Sequence, residues 1–168
     1  MTLTELNYFK HNEAVDWFMQ TCTSSKWCDA MAQARPFNSV EQVKATAENI
    51  WSQMDEDDIL EAFKGHPMIG DISSLREKYA NTKALAANEQ SGASVASDEV
   101  LHALKQSNID YLEKHGFIFI ICATGLSAQT MLAALETRLP NTTEQELATA
   151  AGEQIKITLL RIEKGLSE

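Results

Sequence analysis

Apolar residues recur along this chain at intervals of three and four, the spacing that lines one face of an α-helix. Over residues 12–22 the face is Val15, Phe18, Met19 and Cys22; Trp27, Met31 and Ala34 repeat the pattern before Arg35-Pro36 closes that helix. Residues 40–51 place Val40, Val43, Ala47, Ile50 and Trp51 together. A short helix over 55–63 opens on acidic residues, the sign that a helix N-terminus favours. Residues 98–115 carry Val100, Leu104, Tyr111 and Leu112 as far as Gly116, and residues 128–138 gather Met131, Leu132 and Leu135. A last helix, about 144–164, strings Leu147, Ala151, Ile155, Thr158 and Ile162 along one stripe.

Helix starts are marked by a hydroxyl residue followed three positions later by Glu or Gln, as in Thr2/Glu5, Ser39/Gln42, Ser74/Glu77 and Thr143/Glu146. In such a box the hydroxyl accepts from a free helix N–H and the later side chain reaches back to the cap. Two stretches depart from the pattern. Residues Gly65 to Ser73 carry Gly-His-Pro and Ile-Gly-Asp. Residues Phe117 to Gly125 are apolar and β-branched, and fit a buried extended segment or an apolar helix equally. With no repeat, low-complexity tract or linker, the expectation is an all-α fold, a single compact multi-helix domain over residues 1–168.

Composition adds exclusions. A chain of 168 residues with 44 % hydrophobic and 23 % charged positions is of the ordinary globular kind. Its net charge of −10 argues against a nucleic-acid partner, which needs clustered Lys and Arg. An anionic small substrate stays open, because salt screens exposed charges beyond roughly 10 Å and one Arg in a pocket can dominate locally. The longest apolar run, Phe117 to Ala123, is far short of the roughly 20 residues that cross a membrane. The first residues lack a basic stretch leading into an apolar one, and the last are not a peroxisomal address. Cys22, Cys28 and Cys122, with no CxxC spacing, read as reduced thiols, so a cytoplasmic protein is expected. No His/Cys cluster has zinc-ligand spacing.

His66 is the first candidate for chemistry. Pro67 biases it out of the helical region, and flanking Gly65 and Gly70 allow tight turns that can present an imidazole to a cleft. An ordinary pKa near neutrality suits it to proton transfer; the same dipeptide also serves simply to end a helix, with the ring in solvent. His11, near the start, His102, on a polar helix face, and His115, at a helix end, compete less well. Glu89 can hold a proton on a neighbouring imidazole, and Gln90 offers both donor and acceptor; both also read as exposed residues at a helix end. Arg161 lies beside the apolar stripe of the last helix, where its stem can pack on the core while its fork grips a carboxylate. A surface ion pair accounts for it equally well. The chain lacks GxSxG, GxxxxGK[ST], HExxH and GxGxxG.

The residues taken in order resemble the family of 2-oxo-4-hydroxy-4-carboxy-5-ureidoimidazoline (OHCU) decarboxylases. The run Gly65-His66-Pro67-Met68-Ile69-Gly70-Asp71 is similar to that family's His-Pro-x-Ile-Gly motif. Ser24 with Trp27, then Arg35-Pro36-Phe37, resemble its N-terminal elements. Glu89-Gln90-Ser91, the apolar segment from Phe117 through Cys122-Ala123 to Gly125, and Lys156-Ile157 with Arg161 continue the likeness over nearly the whole chain. Met68 and Thr124 stand where the family often has basic residues.

This resemblance implies an all-α fold, a homodimer, and cofactor-free decarboxylation of OHCU to (S)-allantoin in urate breakdown. It implies His66 as acid/base, with Glu89 beside it and Arg161 binding substrate. Pro67, Gln90 and the segment Phe119, Ile120, Ile121, Cys122 and Ala123 are implied to hold the heterocycle. Two alternatives are a non-catalytic helical binding module of the same fold and a metal-dependent lyase.

Overall fold

The computed structural model describes residues 1–67, 75 and 97–168. Eight helices run through the described residues. They are α1 (Leu3–Tyr8), α2 (His11–Met19), α3 (Ser25–Gln33), α4 (Val40–Trp51), α5 (Glu56–Lys64), α6 (Asp98–His115), α7 (Ala128–Arg138) and α8 (Thr143–Gly165). The expected all-α class is what forms, and α4, α6 and α7 have the bounds that periodicity gives them. Ser74 and Glu77 lie outside the described residues.

Local chemistry explains most helix starts. The Thr2/Glu5 box closes as expected at α1. At α4 the Ser39 hydroxyl accepts from the Gln42 N–H, while the Gln42 side chain accepts from the N–H of Asn38 instead of the cap's own. Helix α8 corrects the expected Thr143/Glu146 box. Thr142 is the capping hydroxyl and Gln145 reaches back to it, one residue earlier in frame. That shift releases Glu146 for a buried role. At the other end of α6, Gly116 takes the left-handed conformation, φ 78°, and its N–H bonds the Leu112 carbonyl.

The chain forms two compact units. The first comprises residues 1–66, 120–122 and 149–168, and the second residues 67–119 and 123–148. In the first, Phe18 is the centre of an aromatic cluster, meeting Trp17, Trp27 and Phe37 edge-on. The indole N–H groups of Trp27 and Trp51 donate to the carbonyls of Ala47 and Ala151, so burying the rings leaves no orphan donor. Arg35 of the Arg-Pro-Phe element donates to the carbonyls of Leu6, Phe9 and Ala32, satisfying helix-end oxygens of α1 and α3.

In the second unit, Leu101, Leu104, Tyr111 and His115 form the buried face of α6, while Val100 and Leu112 are only partly covered. His115 is the last residue of the helix, as expected, and is buried: its Nδ1 meets the Thr143 hydroxyl at 2.9 Å and its ring packs on Tyr111. The segment 118–123 is neither helix nor strand. None of the helices among the described residues is long and apolar enough to cross a membrane.

Candidate active site

His66 stands just beyond α5, and the sequence around it explains how. Asp55 and Asp58 form a reciprocal cap at the helix start. At its end the N–H groups of Gly65 and His66 bond the carbonyls of Ala62 and Phe63, the tighter i to i−3 pattern that finishes a helix. Gly65 has an ordinary φ of −74°, so conformation does not demand glycine. Space does: a Cβ there would fall 2.0 Å from Thr23 Oγ1. Thr23 donates in turn to the Ala62 carbonyl, at 3.1 Å. One turn earlier, Glu61 accepts from both the N–H and the hydroxyl of Ser25, tying α5 to the start of α3.

The His66 imidazole is half-buried. Its Nε2 lies 2.5 Å from Oε1 of Gln154, a residue on α8 that is 1 % exposed. Burial pushes the His66 pKa below 6.5, Gln154 opposes that by bonding the ring, and the positive charge of Arg161 lowers it further. Arg161 thus lies close enough to His66 for its charge to be felt, within the same unit. Arg161 itself is exposed. Among the described residues its fork has one hydrogen-bond partner, the Thr21 carbonyl, at 3.3 Å. The remaining donors suit an anion arriving from solvent.

Two thiols lie in the same unit without nucleophilic character. Burial pushes Cys22 up to about 11, despite opposing contacts from the Ser24 backbone, Thr158 and Arg161. Cys28 is pushed higher by burial and donates to the Cys22 carbonyl.

The other candidate residues divide between the units. Ile120, Ile121 and Cys122 belong to the first, Ile120 being buried. Pro67, Phe119 and Ala123 belong to the second, where Pro67 and Phe119 line a cavity of about 90 Å³ with Lys105, Asn108 and Leu112 of α6. Glu89 and Gln90 lie outside the described residues.

Sequence reasoning did not find what holds Phe119. Its ring meets Tyr111 edge-on at 5.3 Å and carries the Arg138 guanidinium over its face at 4.4 Å. Tyr111, Arg138 and Asn141 all donate to the Glu146 carboxylate. Burial alone raises the Glu146 pKa, but these donors outweigh it and hold the carboxyl below 4.5. Gln154 was also missed. The buried row of α8 is Glu146, Ala150, Gln154, Thr158 and Ile162, at strict intervals of four. The expected stripe through Leu147, Ala151 and Ile155 is only partly buried. Counting by four from Ile162 was the available signal, obscured because three members of the row, Glu146, Gln154 and Thr158, are polar.

A half-buried titratable ring, held at one nitrogen and near enough to a cation with spare donors to feel its charge, can move a proton on a bound anion. Comparisons with known proteins bear on which anion. The family model described as OHCU decarboxylase matches residues 7–163. The uric acid degradation bifunctional protein TTL of Arabidopsis thaliana is 38 % identical over 148 residues, which cover 88 % of this chain and 45 % of that protein. The 2-oxo-4-hydroxy-4-carboxy-5-ureidoimidazoline decarboxylase of Haloferax volcanii is 24 % identical over 99 % of this chain and 97 % of its own length. A crystal structure of an OHCU decarboxylase in the presence of (S)-allantoin superposes with a TM-score of 0.71 and 36 % identity, covering 89 % of this chain and 96 % of that one.

Proposed function

This chain belongs to the OHCU decarboxylase family, and we propose that it converts OHCU to (S)-allantoin and CO2 with His66 moving the proton. The observation that carries this reading is the pair of His66 and Arg161: an imidazole bonded at Nε2, and a guanidinium near enough for its charge to be felt there that has donors to spare.

The chemistry asks for little more. The substrate bears a carboxylate and a hydroxyl on one ring carbon, next to a C=N bond. As the carbon–carboxylate bond breaks, its electron pair moves towards that C=N, so the ring supplies its own electron sink and CO2 leaves. One proton then adds at the ring nitrogen that received the displaced pair and one at the ureido-bearing carbon, while the hydroxyl carbon becomes a carbonyl and releases the hydroxyl proton. What a protein adds is orientation of the carboxylate, exclusion of water, and delivery of a proton to one face. Arg161 serves the first through a forked grip on the carboxylate. His66 serves the last, and the negative charge of the bound substrate offsets the repulsion that Arg161 exerts on an imidazolium.

The sequence resemblance extends the reading to residues for individual test: Glu89 as the charge that favours the imidazolium, and Gln90, Pro67 and residues 119–123 as substrate contacts. We extend it also to a homodimer, working without a cofactor in the cytoplasm. The unbroken family match supports treating residues 1–168 as one domain. Sedimentation at micromolar concentration checks the dimer.

Freshly generated OHCU is the decisive substrate, since it decays unaided to racemic allantoin. The expected result is faster loss of OHCU with a circular-dichroism signal of (S)-allantoin. Racemic product at the uncatalysed rate overturns the proposal.

A further inference from the structure

Gln154 is buried, on a helix face otherwise given to packing, and its amide is committed at both ends. Its Oε1 meets His66 Nε2 at 2.5 Å, and its Nε2 meets Thr158 Oγ1 at 3.2 Å. The Thr158 hydroxyl has one proton, which it donates to the Gln154 backbone carbonyl at 3.0 Å. With that proton spent, Thr158 Oγ1 can only accept from the amide. The amide nitrogen must therefore face Thr158, and the oxygen must face His66. Both residues are sequestered from water, Thr158 at 0 % and Gln154 at 1 % exposure, so solvent offers no substitute partner.

An amide oxygen only accepts, so the nitrogen of His66 that meets it must carry a hydrogen. We propose that Gln154, oriented by Thr158, is a positioning residue that holds neutral His66 as its Nε2–H tautomer, leaving Nδ1 as the nitrogen that exchanges a proton with substrate. The tautomer follows from the hydrogen bonds alone; the exchange with substrate rests on the proposed role of His66. The proton balance is simple. Nδ1 accepts one proton to give the imidazolium and returns one to the ring carbon, while the other proton stays on Nε2 throughout, donated to Gln154 Oε1. Held at one nitrogen, the ring cannot swivel, which aims Nδ1 along a fixed direction.

Nitrogen-15 NMR of His66, assigned by its loss in His66→Asn, tests the assignment at a pH where the ring is neutral. The expected spectrum has Nε2 as the protonated nitrogen, with a proton protected from exchange, and Nδ1 as the bare one. Gln154→Glu keeps an acceptor and should retain this pattern. Gln154→Met removes the acceptor, and the Nε2 proton should lose its protection. Thr158→Val frees the amide to turn its nitrogen towards the ring, which should populate the Nδ1–H form. In turnover, Gln154→Met is expected to lose kcat by about tenfold or more with little change in KM, and by no more than the roughly 10²- to 10⁴-fold that a general acid–base group itself contributes. Gln154→Glu should recover much of that loss. A merely structural Gln154 would lower the melting temperature of Gln154→Met and leave kcat of the folded fraction and the tautomer untouched, which overturns the proposal. Wild-type His66 found as Nδ1–H also overturns it, whatever the turnover. If the tautomer changes as expected while kcat does not, the positioning role in catalysis falls together with the role assigned to His66, and only the hydrogen-bond assignment survives.

Discussion

Thr23 fills the space in which any residue at position 65 other than glycine would carry its Cβ; that atom would lie 2.0 Å from Thr23 Oγ1 and 2.7 Å from Thr23 Cβ. Thr is β-branched and stiff at χ1, so it cannot swing aside cheaply. Gly65→Ala should cost about 1–3 kcal/mol of stability, the usual range for overpacking. It should also lower kcat, because the residue displaced is the neighbour of His66. Thr23→Gly in the same chain should recover part of both losses. Chemical denaturation and turnover on the single and double variants give the answer, and additive effects would count against the contact.

His66→Asn should retain the helical spectrum and lose roughly 10²- to 10⁴-fold in kcat. Glu89→Gln should lower kcat as well, by removing a charge that favours the imidazolium. If the two side chains act as one unit, the double variant should be little slower than His66→Asn. A folded His66→Asn protein with wild-type turnover would falsify the proposed role of His66.

Arg161 is exposed and donates to one carbonyl, so its contribution should fall on substrate and not on folding. Arg161→Lys keeps the charge but loses the planar fork, and should reduce kcat/KM by about tenfold or more, as for loss of a charge-assisted hydrogen bond. Its melting temperature should be that of wild type. Equal losses of activity and melting temperature would point to a structural role instead.

Burial and the charge of Arg161 place the His66 pKa below 6.5 despite the bond to Gln154. The unfolded chain therefore takes up a proton at a higher pH than the folded one. This makes the neutral ring's contribution to stability full above about pH 6.5 and progressively lost as the pH falls from there towards the folded-state value. An NMR titration of the substrate-free protein should give a His66 midpoint below 6.5, and denaturation of His66→Asn should show a shallower loss of stability on acidification. A midpoint above 6.5 would contradict the burial and charge that surround the ring.

The Glu146 carboxylate gathers Tyr111, Arg138 and Asn141, and its pKa lies below 4.5. Its stabilisation is present above the usual carboxylate value and is lost as the pH falls through the folded-state one. Glu146→Gln leaves the buried Arg138 without its carboxylate, a change that typically costs about 3–5 kcal/mol. Tyr111→Phe, which removes a single bond, should cost about 1 kcal/mol. The two measured together separate the charge from the network; a Glu146→Gln protein of undiminished stability would show that the carboxylate does not organise this unit.

Helix existence and most helix bounds were legible in the sequence because they depend on interactions within four residues. The faces of α4 and α7, the Thr2/Glu5 box and the stop at Gly116 are all local in this sense. His66 and Arg161 were legible as candidates too, through a Pro that breaks the helix after one and an apolar helix that surrounds the other. The resemblance of ordered motifs carried the family. What only the tertiary structure decided were relations between residues far apart in the chain. The 88 residues separating His66 from Gln154 leave no periodic trace, and a polar side chain on a buried row reads as solvent-facing until its partner is known. The frame of the α8 cap was decided the same way. Thr142 and Thr143 are equivalent caps locally, and it is Tyr111, Arg138 and Asn141 that draw Glu146 inwards and leave the cap to Gln145. Gly65 looked like a conformational glycine and is a steric one, because the atom it must avoid belongs to Thr23, which the sequence places forty-two residues earlier and only packing brings alongside.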